Sequence, residues 1–209
     1  MKVSATKSIS ASAVAVLALA LFLSAAPAPP RHQETSVAPS ELVLTLDPAQ
    51  SKVHFNVDST LHTVHGTFSV KSGTVHFDPQ TGKAGGEIVV NATSGDSGST
   101  SRDARMHKEI LETKKYPDAV FHPSQIEGQV ASVGACDVKL RGTISLHGAD
   151  HELTALIHAN LASDHWTGTA NFEIPYITWG IKDPSNFFLK VKPVVNVELE
   201  MAGSLTSAK

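Results

Sequence analysis

One cysteine, Cys136, is all that the 209 residues contain, so no disulfide can close within the chain. Charge is sparse too: 18% of the residues are charged and the formal net charge is -3, which leaves no basic footprint for nucleic acid. The unbroken apolar run Ala13 to Leu23 reaches across only about half of a bilayer core at ~1.5 Å per helical residue, too short for a comfortable span. No cysteine follows that run, which removes a lipoprotein of the usual form. A Gly-rich phosphate cradle and a dinucleotide fingerprint are absent as well. With 41% hydrophobic residues, what is left is one globular domain behind a leader.

The leader reading rests on Lys2 and Lys7 ahead of the apolar run and on the small residues Ser24, Ala25, Ala26 and Ala28 after it. We expect residues 1–28 to be a Sec-type signal peptide, with an uncleaved anchor as the alternative, and the protein to be periplasmic or secreted. Residues 29–40 are rich in Pro, Ala, Ser and Thr without periodicity and read as a flexible linker. The domain is expected over 41–204.

Inside it the dominant period is two. Val53, Phe55 and Val57 alternate with polar residues, as do Val138, Leu140, Gly142, Ile144 and Leu146, then Leu153 to Leu161, then Val195 to Met201. Val64 to Val70 and Thr74 to Phe77 read as two strands parted by Lys71-Ser-Gly73. Gly86 to Ala92 is a further strand, and Asp118 to Ile126 a short or edge strand, since Pro123 interrupts it. One stretch breaks the rhythm: Ser101 to Thr113 places Met106 and Ile110 on one helical face, with Ser99, Thr100 or Ser101 as N-cap and Pro117 beyond the end. Eight to ten strands and one short helix imply an all-β antiparallel sheet that closes into a barrel and so hides its edges. Small inward residues (Gly66, Ala92, Gly142, Ala155, Ala159, Gly168, Ala170) leave room for a ligand cavity; the phenylalanines could equally fill it.

The ordered set Ser51-x-Val-x-Phe55, Val64-x-Gly-x-Phe68, Gly73-x-Val-x-Phe-Asp78, Arg102-Asp103, Tyr116-Pro117, Phe121, Leu146-His-Gly148 and Trp179-Gly-Ile181 resembles the YceI-like family of secreted lipid-binding proteins over 42–203. The resemblance implies a lipocalin-like antiparallel β-barrel of about eight strands, whose cavity holds a polyisoprenoid or other long-chain fatty amphiphile. Candidate ligand contacts are Phe55, Val57, Phe68, Phe77, Phe121, Leu140, Ile157 and Phe172 on the strands, Met106 and Ile110 on the helix, and Tyr176 and Trp179. In place of an Arg that the family often carries before its aromatic-Gly-Ile element, this chain has Ile174-Pro-Tyr-Ile-Thr-Trp179, so Tyr176 is the expected donor to a head group. The expectation is a carrier rather than an enzyme, without cofactor or metal, compatible with transient membrane contact and with a homodimer. An accessory protein that docks a membrane or redox partner on its outer sheet face is the alternative.

Gly95-Asp-Ser-Gly-Ser99 resembles the nucleophile motif of trypsin-like proteases, but the chain has neither the length nor the ordered His and Asp before it. His62-x-x-His65 and His147-x-x-x-His151 have zinc-like spacings without further ligands close by, and are expected to be solvated loop residues. Cys136 shares the inward phase of Val138, an inert position.

Overall fold

The computed structural model describes residues 41–208; the expected signal peptide and linker lie outside the described residues. Nine strands form in chain order: β1 (Glu41–Leu46), β2 (Lys52–Asp58), β3 (Thr63–Phe77), β4 (Ala84–Asp96), β5 (Asp118–Glu127), β6 (Gly134–Leu146), β7 (Ala149–Leu161), β8 (His165–Ile174) and β9 (Val195–Ala208). Neighbours pair antiparallel around a complete ring, β3-β2-β9-β8-β7-β6-β5-β4 and back to β3. The ninth strand fits because β1 and β2 share one slot. β2 covers β9 from Asn196 to Glu200, and β1 covers its continuation from Gly203 to Ala208. Asp47 makes the step between them: its carboxylate accepts from Ala49 N (2.9 Å) and from the Gln50 amide, turning the chain without breaking the pairing to β9. The result is a closed eight-position antiparallel barrel with one short helix.

β3 is a single strand, where two were expected. Its inward positions are even up to Val70 and odd from Gly73 through Val75 to Phe77, and pairing with β4 shifts register between Val70 and Ser72. A β-bulge inserts one residue and switches the alternation, so in sequence it looks like a turn. The same device corrects the reading of β5. Pro123 does not mark an edge: β5 pairs with β4 through Asp118 to Phe121 and with β6 along most of its length, and the register slips between Pro123 and Gln125. A bulge is where a sheet tolerates a residue that cannot donate.

The interruption between β4 and β5 is the helix α1 (Thr100–Arg105), which continues as a π-helical turn over Met106–Ile110 closed by Leu111 N donating to Met106 O at 2.8 Å. Ser99 is the N-cap residue, but its hydroxyl makes no capping bond. The helix is held from inside instead. Asp103 accepts from Ser97 N (2.9 Å) and from Ser97 Oγ, while Arg102 Nε and one terminal amino group donate to Ser97 Oγ (2.7 Å) and Ser97 O (2.6 Å). This use accounts for the serine of the protease-like string. Ser97 is a buried strap that fastens the helix to the end of β4.

Candidate functional site

The inward faces of β2 to β9 do not meet at the barrel axis. They enclose a cavity of about 590 Å³, a size that suits a small-molecule or lipid ligand. Its walls are Val53, Phe55 and Val57 from β2, Ile88, Val90 and Ala92 from β4, Leu140 and Ile144 from β6, Ala155 and Ile157 from β7, Ala170 and Phe172 from β8, and Val197 and Leu199 from β9. Polar lining groups gather at one end. Ser59 and His62 come from the β2–β3 turn, and Ser97, Ser99, Ser101, Arg102 and Arg105 from the helical segment. At the opposite end Leu46, Phe77, Leu161 and Trp166 are buried in a hydrophobic plug. That plug surrounds a second void of about 60 Å³, and Ile88, Leu140, Ile157 and Met201 border both spaces as a thin apolar floor.

Small residues open the cavity in two different ways. Ala92, Ala155 and Ala170 are buried and line it directly. Gly66 and Gly142 act indirectly, by letting an aromatic ring lie flat on the wall. A Cβ on Gly66 would fall 2.2 Å from the ring of its cross-strand partner Phe55, and one on Gly142 would fall 2.6 Å from that of Phe121. Phe55 and Phe68 then stand side by side with centroids 5.3 Å apart, a tilted pair of the favourable kind. Phe55, Phe68, Phe121 and Phe172 therefore tile the wall and do not fill the space.

Ten of the twelve candidate contacts line the cavity: Phe55, Val57, Phe68, Met106, Ile110, Phe121, Leu140, Ile157, Phe172 and Tyr176. Two do not. Phe77 has the inward phase but stands at the plugged end of β3, where it is 2% exposed in the core. Trp179 stays out of the cavity lining and stacks on His151, with ring centroids 4.3 Å apart and planes 1° from parallel. Gly180 adopts φ +80°, which redirects the chain so that Ile181 lines the cavity in place of the tryptophan. Reading residues by phase alone also missed most of the polar end, and it missed Ile181, Leu189 and Val191 of the β8–β9 connection. Irregular backbone gives no period from which to read them.

Tyr176 is 5% exposed and its hydroxyl has no hydrogen-bond partner in the protein. Burial first, then the nearby Asp183 carboxylate, pushes its pKa up to about 12, so the phenol keeps its proton and remains a donor. The histidines have local roles. His65 meets the Asn56 side chain, His147 lies 3.3 Å from Glu112 and against the Tyr116 ring, and His62 sits on the cavity rim. Cys136 is half-buried beside the small void.

Comparison with known proteins adds to this geometry. The model of the YceI-like domain family matches residues 44–202. Burkholderia cenocepacia BcnA superposes with a TM-score of 0.63 at 18% identity, covering 76% of this chain and 99% of its own. A polyisoprenoid-binding domain from Saccharophagus degradans, implicated in plant cell wall breakdown, gives 0.59 at 16% identity, with 82% and 100% covered. The YCEI protein of Campylobacter jejuni gives 0.53 at 18% identity, with 68% and 84% covered. No protein of curated function matches the sequence. The family model covers most of the residues that build the barrel and its cavity, and on that ground the chain belongs to the YceI-like domain family.

Proposed function

We propose that this protein is an exported carrier that holds one polyisoprenoid, or a similar long-chain amphiphile, with its tail along the barrel axis and its head at the polar end. The observation that carries the reading is the lengthwise asymmetry of the cavity: hydrocarbon walls, a hydrocarbon floor and polar groups at one end only. The Saccharophagus degradans domain of the same fold binds polyisoprenoid, which supports the choice of ligand class. Phe55, Val57, Phe68, Phe121, Leu140, Ile157 and Phe172 would contact the tail, Met106 and Ile110 would cover it from the helix, and the unpartnered Tyr176 hydroxyl would donate to the head.

Energetics limit the protein to exchange. A buried methylene is worth ~0.8 kcal/mol on leaving water, and a long prenyl chain summed this way would exceed the observed ceiling of about 18–21 kcal/mol. Such a lipid starts in a bilayer, already out of water, so the cavity gains only from packing and head-group contacts. A carrier that loads and unloads is the consequence. The basic, apolar and small-residue pattern of residues 1–28 supports export to the periplasm or beyond.

The alternative of a partner docked on the outer sheet face has less support. Among the described residues the most exposed large apolar side chains, Phe187, Phe188, Leu61 and Val133, lie off the sheet, and Leu156 at 50% is the one on a strand. Organic extraction of protein purified without detergent, followed by mass spectrometry, tests the carrier reading. One lipid per chain is expected, and repeated recovery of empty protein would contradict it.

A further inference from the structure

The cavity leaves unexplained why two neighbouring phenylalanines stand in water beside its polar end. Phe187 and Phe188 are 87% and 86% exposed and meet edge to face with centroids 5.2 Å apart. Their loop is not loose. Asn186 Oδ1 accepts from Phe188 N and Leu189 N at 2.9 Å, Asn186 N donates to Leu189 O, and Ser185 Oγ accepts from Val191 N at 2.9 Å. A turn fastened at this many points presents its two rings outward by construction.

The same loop is joined to the β2–β3 turn. Thr60 N donates to Lys190 O at 2.9 Å and Lys192 N donates to Asp58 O at 2.8 Å, which brings the 73%-exposed Leu61 into the same rim. Leu189 and Val191 of one loop and Ser59 and His62 of the other line the cavity, so the apolar prominence and the opening share their backbone. The rim is also basic against an acidic chain. Segments 58–62, 97–111 and 182–192 together hold six Lys and Arg against four Asp and Glu, whereas the whole chain is net -3.

We propose that this rim docks on an anionic lipid bilayer, with Phe187, Phe188 and Leu61 entering the interface and Lys190 and its basic neighbours meeting the head groups. Aromatic and aliphatic tips flanked by cations are the side-chain set that an anionic interface rewards. Docked in this way, the opening faces the phase from which a long apolar ligand would come, and the ligand crosses little water. The choice of a bilayer over another apolar partner rests on the carrier reading above.

Two measurements on the full-length chain test it, on vesicles of phosphatidylcholine with about one-third phosphatidylglycerol. In a Cys136→Ser background, an environment-sensitive fluorophore placed through Phe188→Cys shifts to the blue and brightens on the vesicles, while the same label at Leu156→Cys on the outer wall of β7 does not. Separately, F187S/F188S, which alters only exposed rings, floats with the vesicles at least about tenfold less than the unaltered chain, given the apolar transfer lost with two rings. A label at 188 that stays in water, or a double variant that floats undiminished, overturns the proposal. So does a chain that ignores vesicles but forms a dimer which F187S/F188S abolishes, because the rim would then belong to a second copy. Cavity lipid extracted from the unaltered chain separates the two readings. An unaltered chain that carries lipid but does not insert removes docking alone; one that inserts with an empty cavity removes the carrier alone.

Discussion

Tyr176 concentrates the chemistry of the cavity in one atom. Its phenol is buried without a partner in the protein, a condition that costs about 1–3 kcal/mol unless a ligand satisfies it. Tyr176→Phe is therefore expected to leave the empty barrel as stable as before or up to about 1 kcal/mol more so, and to weaken lipid retention; urea midpoints and lipid content after extensive dialysis measure the two separately. The raised pKa has a direction in pH. The folded state holds the proton to about pH 12, above the ordinary value of 10.0, so the stability this group contributes is complete below pH 10 and is lost as pH rises toward 12. The alkaline limb of the stability profile should be shallower in Tyr176→Phe. Ala155 tests the wall instead. It is 4% exposed with cavity on its inner side, so Ala155→Phe can lay its ring in empty space, and lipid content should fall with little change in the urea midpoint. Gly66→Val has no such space, because the Phe55 ring already lies there, and should destabilise by about 1–3 kcal/mol.

The helix is the covering element, and its hold on the barrel runs through Asp103, Arg102 and Ser97. The Ser97 hydroxyl, and then its backbone N–H, hold the Asp103 carboxyl below its ordinary pKa of 3.8. The sign follows: this tether is complete above that value and is lost as pH falls through the lower folded value, so the cover loosens only in strong acid. Asp103→Ala should mimic that state at neutral pH. Faster transfer of lipid to acceptor vesicles, and faster amide exchange in Thr100 to Leu111 than in β7, are the expected results; unchanged transfer would mean that the helix is no gate. The Met106 and Ile110 spacing made this cover legible in the sequence, and alternation made most strands legible. Bulges were not, because switching parity at Lys71 or Pro123 imitates a turn or an edge when pairing partners are unknown. The β8–β9 connection, with its glycine-directed exchange of Trp179 for Ile181, has no period at all.

Across the whole barrel, closure and the inward face could be anticipated from period two and from resemblance, whereas the shared slot of β1 and β2 could not, and empty and filled interiors could not be distinguished. The difference lies in how rings pack on Gly66 and Gly142, a matter of a few ångströms between partners that no single strand encodes. The finished barrel also suggests what sets ligand length. Met201 belongs to the floor between the main cavity and the small void, and Met201→Ala should join them, lengthen the acceptable tail and destabilise the fold by about 2–5 kcal/mol. A shift of co-purified lipids toward longer chains would be the readout. The most direct measurement is a crystal structure of the protein purified from its own host without detergent. Continuous density should run from the Met201 floor past Phe55 and Phe121 toward Tyr176 and the Arg102 end. A cavity collapsed onto its own side chains, or holding only water, would contradict the account.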